Sequence, residues 1–421
     1  MTQSRDGTMS TGRVQVSNLS VIGLGYIGLP TAAMFASSGL RVVGVDVNAG
    51  IVATVNDGRA HIEEGNLDEL VAAGVATGNL RASIEPVPAD AHIIAVPTPV
   101  SASRGADLSY VLAAGRSLAP VLRKGDLVIL ESTSPVGTTA RLAELLATER
   151  PDLVFPGHGQ PDVCLAYCPE RIIPGRMLEE LVANDRIVGG MTPECARRAS
   201  ELYRTFVRGE CLVSDDRTAE MVKLAENASR DNSIAFANEL SMVCDDLGIN
   251  VWDVIAFANR HPRVSILKPG PGVGGHCIAV DPWFIVASDP GRTRLVRTAR
   301  EVNDSKTDYV VDLVEKAIAQ AGDGQVACLG LTYKPDVDDF RESPALKIAR
   351  VLSKKWPGRI TCCDPHAAAL PGHLAGELKI SDAGVAMAQA RIVVMLVAHQ
   401  AFRSLVVPDD RLVIDTVGFW H

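Results

Sequence analysis

Aromatic residues are scarce in this chain of 421 residues: Phe, Trp and Tyr together make up 5%. The core must therefore come from Ala, Val, Leu and Ile, which suits a parallel sheet buried under helices. No run of about 18 apolar residues occurs, so no membrane-spanning helix is expected. Residues 1–17 hold no apolar stretch of about 7–15 residues, so they read as a loose tail and not as a secretory signal. Positive charge is in deficit, with Lys+Arg 41 against Asp+Glu 50 and a net charge of −9. Such a chain has no global field for phosphate backbones, so no nucleic acid is expected as partner. One small nucleotide held by a few local groups is still allowed. The nine cysteines include no C-x-x-C pair and no Cys/His cluster of zinc spacing, so no metal is expected. They read as reduced, mostly buried thiols of a cytoplasmic protein.

What is there is an alternation of strands and helices. Leu19–Ile22 is a short apolar run, residues 29–38 an Ala-rich helix, and Arg41–Val45 a second strand ending at Asp46. Strand, turn, helix and strand in so short a span make a βαβ unit. Ala91–Val96 and Leu127–Leu130 read as further strands, with helices over Leu108–Val121 and Thr138–Ala147. From 217 to 248 runs one long helical stretch with no Pro and no Gly before Gly248, and residues 293–321 form another. The α/β pattern then restarts at Gln325, with strands at Ile360–Cys363, Arg391–Val397 and Leu412–Asp415. The expected fold class is α/β: two Rossmann-like doubly wound domains joined by a long central helix and helical segment. The boundaries read as a tail over 1–17, a first α/β domain over 18–215, a helical domain over 216–322 and a second α/β domain over 323–421.

Gly23-x-Gly25-x-x-Gly28 sits after a strand and opens a helix. The first Gly permits the tight turn, the second lets a pyrophosphate approach the backbone, and the third lets helix pack on strand. The helix N-terminus offers N–H groups to phosphate. Asp46 ends the second strand, where a carboxylate accepts ribose hydroxyls and repels a 2′-phosphate. This predicts NAD and not NADP. Thr98 and Thr133 each follow an apolar strand at its carboxyl end, where such sheets bind ligands, although Thr also serves as a plain turn former there.

Residues 270–275 hold four glycines in six positions, followed by His276 and Cys277, with Asp281 close behind. A loop this rich in glycine wraps closely around something, and a thiolate among exposed N–H groups can be a nucleophile at neutral pH; the plain alternative is a small buried Cys on a structural loop. Lys223, Asn227 and Arg230 stand at i, i+4 and i+7, on one helix face. A polar stripe of this kind is ordinarily a solvated face, and only further context makes it a site. Arg260, His261, Arg263, Lys334 and Arg341 add local positive charge, consistent with an anionic small substrate or with surface charge.

On these residues the chain resembles the UDP-glucose/GDP-mannose dehydrogenase family. The stretches that carry the resemblance are Val21-Ile-Gly-Leu-Gly-Tyr-Ile-Gly-Leu-Pro30, Glu131-Ser-Thr-Ser-Pro135, Tyr167-Cys-Pro-Glu-Arg171, Glu220–Arg230, Gly274-Gly-His-Cys-Ile278 and Leu331-Thr-Tyr-Lys-Pro335. Asn259-Arg-His-Pro-Arg263 and the segment 269–283 resemble its bacterial UDP-N-acetyl-D-mannosamine-oxidising branch. The resemblance implies a two-step oxidation of a sugar C6 hydroxymethyl to a carboxylate, with two NAD consumed and the aldehyde captured by Cys277. It implies that Lys223 or a water takes up charge from the alcohol oxygen and Asn227 steadies the oxyanions. Glu170, Thr133 and Asp281 would organise or activate water. Tyr26, Ile27, Asp46, Thr98, Thr133 and Arg341 would serve NAD. Arg171, Ile172, Lys223, Asn227, Arg230, His261, Arg263, Gly274, Tyr333 and Lys334 would line a UDP-sugar pocket. The second α/β domain would bind UDP, and the long helix would build a homodimer. One departure is Val417, where the family usually has a basic residue. A UDP-N-acetylglucosamine dehydrogenase is the nearest alternative, since C2 configuration is not written in these motifs. A two-electron hydroxyacid dehydrogenase would have no use for Cys277, and a non-catalytic NAD-binding regulator would need none of Lys223, Asn227 and Cys277.

Overall fold

The computed structural model describes residues 16–62, 64–101, 104–172, 175–275 and 277–421. The expected tail over 1–17 lies outside the described residues as far as position 15, as does His276. The chain divides into two compact units: residues 1–98 with 106–223, and residues 99–105 with 224–421.

The first unit is built on eight strands: β1 (Asn18–Ile22), β2 (Arg41–Val45), β3 (Leu80–Ser83), β4 (Ala91–Ile94), β5 (Leu127–Leu130), β6 (Cys164–Tyr167), β7 (Arg186–Gly190) and β8 (Cys211–Asp215). Their order in the sheet is β3-β2-β1-β4-β5-β6-β7-β8. The reversal of order on the two sides of β1 is the doubly wound pattern. All neighbours run parallel except β6 and β7, which are antiparallel. Strands buried on both faces read as continuous apolar runs, and β4 (AHII) and β5 (LVIL) are buried throughout. Alternate residues feed two cores. Val21, Ile93 and Ile129 pack on one side, and Ile22, Ile94 and Leu130 on the other. In the first of these Phe35, Tyr203 and Phe206 meet ring to ring.

The second unit has a four-stranded parallel sheet of order β10-β9-β11-β12, from β9 (Gln325–Leu329), β10 (Ile360–Cys363), β11 (Ala390–Met395) and β12 (Leu412–Asp415). This repeats the β2-β1-β4-β5 winding of the first sheet. The repeat extends to single atoms. Gly23 ends β1 with φ +91° and Gly330 ends β9 with φ +87°. Asp46 after β2 accepts the Leu24 N–H at 3.0 Å, and Asp364 after β10 accepts the Leu331 N–H at 2.6 Å.

A single helix, Asp216–Leu247, runs from the end of β8 into the second unit, and a second long helix, Arg294–Ala321, leads to β9. Over 150–215, where no element was expected, the structure has β6, β7, β8 and the helix Pro193–Tyr203. No helix among the described residues is long and apolar enough to cross a membrane.

Candidate active site

The glycine turn of the first unit has the shape a dinucleotide requires. A Cβ on Gly23 would lie 2.6 Å from Ala95 O, and one on Gly28 only 1.7 Å from Gly23 O. Those two positions are closed by the fold itself. A Cβ on Gly25 would meet nothing within 4 Å. The open side of the turn is therefore at Gly25, where the backbone leaves room for a pyrophosphate. The helix Gly28–Ser37 follows, and no side chain caps its N-terminus. Leu29 N–H bonds Gly25 O at 3.1 Å and Pro30 has no N–H, so the helix start offers an anion the Gly28 N–H. Asp46 holds the floor of the turn, with Oδ2 on Leu24 N and Oδ1 on Asn48 N at 2.9 Å. Each oxygen retains a lone pair for a ribose hydroxyl. Tyr26 is exposed and Ile27 half-buried beside it. These residues fit NAD.

Thr98 and Thr133, expected at adjacent strand ends, are brought together: Thr98 Oγ1 donates to Thr133 O at 2.6 Å. Glu170 is buried, and its carboxylate accepts Arg186 Nη2 at 2.7 Å and the Arg171 N–H at 2.6 Å. Its carbonyl accepts Lys223 Nζ at 2.6 Å. Arg171 reaches Asp185 O at 2.9 Å, with half-buried Ile172 next to it. The first unit thus groups Glu170, Arg171 and Lys223.

Four residues to which the sequence assigns no role, Arg186, Glu131, Tyr203 and Glu220, hold this group. Arg186 joins two buried carboxylates, Glu170 and Glu131 (3.2 Å), and stacks on Tyr203, whose hydroxyl donates to Glu131 at 3.2 Å. Burial, opposed by Arg186 and reinforced by Glu170, pushes the Glu131 carboxyl up to about 7. Glu220, on the long helix, accepts the N–H groups of Gly137 and Thr139. It caps the helix Thr138–Glu149, whose own N-cap residue is a glycine with no side chain to offer. Burial raises the Glu220 carboxyl above its usual range. This contact anchors the long helix one turn before Lys223.

In the second unit the loop 269–275 lies against residues 331–344. A Cβ on Gly274 would lie 2.9 Å from Tyr333 Cβ and 2.7 Å from Glu342 O, and Gly275 faces the Tyr333 ring. The expected pair Gly274 and Tyr333 is therefore in contact, with half-buried Lys334 beside it. Arg341 grips Asp339 through paired hydrogen bonds, and its carbonyl accepts Gly275 N–H at 3.3 Å. Cys277 is exposed, and the other eight cysteines are buried, with no disulfide among them. The Cys277 carbonyl accepts the N–H groups of Val280 and Asp281, at 3.0 and 2.9 Å, at the start of the helix Asp281–Ser288. Asp281 accepts Asn227 Nδ2 from the long helix. Arg230 is exposed one turn further on. His261 and Arg263 are exposed on a turn that Asn259 closes with two bonds to the Ile266 backbone. Neither is drawn to the glycine loop by any contact described. Val417 is half-buried against the second sheet. No group of three or more potential metal ligands occurs among the described residues.

The UDP-glucose/GDP-mannose dehydrogenase family matches the chain in three parts. Its NAD binding domain matches residues 17–207, its central domain 217–305 and its UDP binding domain 327–421. The chain is 55% identical over 412 residues to the NDP-N-acetyl-D-galactosaminuronic acid dehydrogenase of Ralstonia nicotianae, covering 97% of both. It is 54% identical over 419 residues to the UDP-N-acetyl-D-mannosamine dehydrogenase of Escherichia coli, covering 96% of this chain and 99% of that one. The solved UDP-D-ManNAc dehydrogenase of Pyrococcus horikoshii superposes with a TM-score of 0.86 at 36% identity, over 96% of each chain.

Proposed function

Because the chain belongs to the UDP-glucose/GDP-mannose dehydrogenase family, whose members use NAD, we propose that it oxidises C6 of UDP-N-acetyl-D-mannosamine to the carboxylate. The observation that carries this reading is the exposed Cys277 at the end of the glycine loop, one helix start away from the Asn227–Asp281 pair. A two-electron dehydrogenase needs no such thiol. The four electrons leave C6 as two hydrides, which NAD accepts in turn when bound.

The residues divide the remaining work. Lys223 Nζ is fixed by the Glu170 carbonyl and keeps two hydrogens to steady the alkoxide as the C6 hydroxyl proton departs to water. Cys277 Sγ then bonds to C6 of the aldehyde and its proton passes to the new oxygen, giving a thiohemiacetal. Loss of the second hydride and the hydroxyl proton gives a thioester. Water adds to that carbonyl, the C–S bond breaks, and the thiol regains a proton as the carboxylate forms. Asn227, one helical turn from Lys223, donates to the oxyanions of both stages. Asp281, Glu170 and Thr133 orient the water. The substrate-binding and NAD-binding residues named from the resemblance complete the reading, with the second α/β domain taking the UDP.

Covalent capture keeps the aldehyde on the protein while the cofactor is exchanged. Cys277→Ser should therefore stall after one NADH per sugar, and release of uronate at the wild-type rate would sink the covalent scheme. NADH counted per sugar over UDP-activated 2-acetamido sugars of manno, gluco and galacto configuration tests the substrate. Two NADH with the manno sugar as the preferred substrate is expected. The galacto configuration is a second reading, favoured by the 55% identity to the Ralstonia protein.

We further propose a cytoplasmic homodimer. Phe236, Val243 and Leu247 are exposed on the long helix at spacings of 7 and 4, an apolar stripe for a second copy. Sedimentation at micromolar concentration should give twice the chain mass.

A further inference from the structure

The glycine loop is tied to one face of the long helix at both ends. Asn227, Asp231 and Asn238 stand at i, i+4 and i+11, on that face. Asn227 holds the far end of the loop through Asp281. Asn238 holds the near end, its Oδ1 accepting the Gly270 N–H at 2.9 Å. From Asp231, which stands between them on the helix, a chain of hydrogen bonds runs to Asn238, and each side chain in it dictates the orientation of the next. Asp231 is an acceptor, engaged by Arg300 Nη1 at 2.7 Å. Asn303 therefore turns its amide nitrogen toward it, with Nδ2 at 2.7 Å from Asp231 Oδ1. That leaves Asn303 Oδ1 to accept, and Asn238 Nδ2 donates to it at 2.9 Å. The atom of Asn238 left to face the loop is its oxygen, which is what a backbone N–H requires.

All four side chains are buried: Asp231 and Asn238 are 0% exposed, Asn303 1% and Arg300 2%. Burial raises the cost of breaking any of these bonds, which favours one arrangement of the relay; Asp231 Oδ2 and Arg300 Nε, at its start, are buried without a partner among the described residues. Two further contacts fix the same stretch. Thr307, one turn beyond Asn303, donates to Pro271 O at 3.4 Å. Lys306 Nζ donates to Ser241 Oγ, and that hydroxyl donates to Asn238 O, both at 2.7 Å.

We infer that Asn238 and Asn303 are positioning residues, a relay from the Asp231–Arg300 ion pair that sets the place of the loop presenting Cys277. The inference rests on the reading of Cys277 as the nucleophile. The Gly270 N–H needs an acceptor for stability in any case, so placement of the loop is read in the rate of the chemistry and of Cys277 alkylation and not in the melting temperature. A loop displaced by a fraction of an ångström moves the thiol off its line of attack, which is costly in rate.

Asn238→Ala, Asn303→Ala and the double variant test this by steady-state kinetics, thermal melting and the rate at which iodoacetamide alkylates Cys277. Each single variant should lower kcat about tenfold, the equivalent of one buried hydrogen bond. The KM for UDP-sugar should stay within about twofold, and alkylation should change about fivefold or more. The double variant should be no worse than the poorer single one, since links of one chain are not additive. A lowered melting temperature with wild-type kcat and alkylation overturns the relay, as do losses that multiply in the double variant. If Asn238→Ala does not fold, Asn303→Ser carries the same expectations, because it lets the Asn238 amide turn. If Cys277→Ser itself proves fully active, the covalent reading falls, and the alkylation rates still decide whether the relay places the loop.

Discussion

At the scale of single residues, the groups with a local signature were readable and those defined by burial were not. Cys277 follows four glycines and Asp46 ends a strand after a glycine turn, so spacing alone singles them out. Arg186, Glu131 and Tyr203 meet across 55 and 72 positions of sequence, and nothing in their neighbourhoods announces it. The same holds for Asn238 and Asn303, 65 positions apart. The Glu131 carboxyl makes a prediction of its own. Its pKa in the folded chain is raised to about 7, from an ordinary 4.5. The folded chain therefore keeps a proton that the unfolded chain loses earlier. The resulting stability is full below pH 4.5 and is lost as pH rises through about 7. Glu131→Gln cannot ionise, so its melting temperature should fall less between about pH 5 and pH 8 than that of the wild type. Parallel falls in the two proteins contradict the shift.

At the scale of elements, the glycine turn separates binding from folding. Gly25 faces open space, and Gly28 has Gly23 O where a methyl group would go. Gly25→Ala should keep the melting temperature within about 2 °C while weakening NAD binding tenfold or more, because the methyl group occupies the phosphate approach. Gly28→Ala should destabilise the first unit outright. Calorimetric titration with NAD alongside thermal melting distinguishes them, and equal behaviour of the two variants would discard the assignment. The turn was legible because its glycines are needed locally. The strands β6 to β8 were not. They are no shorter than β4 and β5, but β6 and β7 pair antiparallel, which breaks the βαβ rhythm that marked the others. The capping role of Glu220 has no local signature for a related reason: the helix it caps lies 81 positions away, so no capping pattern appears in the sequence.

At the scale of the whole molecule, one Rossmann-like device occurs twice with different fittings. The Asp364 side chain repeats the Asp46 contact to the turn backbone but is 0% exposed, closed over by His399 at 3.2 Å. His399 also accepts the Asp336 N–H through Nδ1 at 3.0 Å and meets Thr332 through Nε2 at 3.1 Å. No ribose hydroxyl can reach a carboxylate so covered. Equilibrium titration with NAD should therefore saturate at one per chain despite two sheets of the same winding, and two per chain would refute the closure. The two-domain division of labour was visible in the restart of the α/β pattern at Gln325, but the cover that His399 puts over Asp364 was not, because nothing near either residue in sequence announces their contact. The helix Asp216–Leu247 adds a constraint on how this chain can change over time. Its anchoring face is a matter of phase: inserting or deleting one residue between Asp231 and Asn238 turns the two out of step by about 100°. The length of this segment is the quantity that inheritance must preserve.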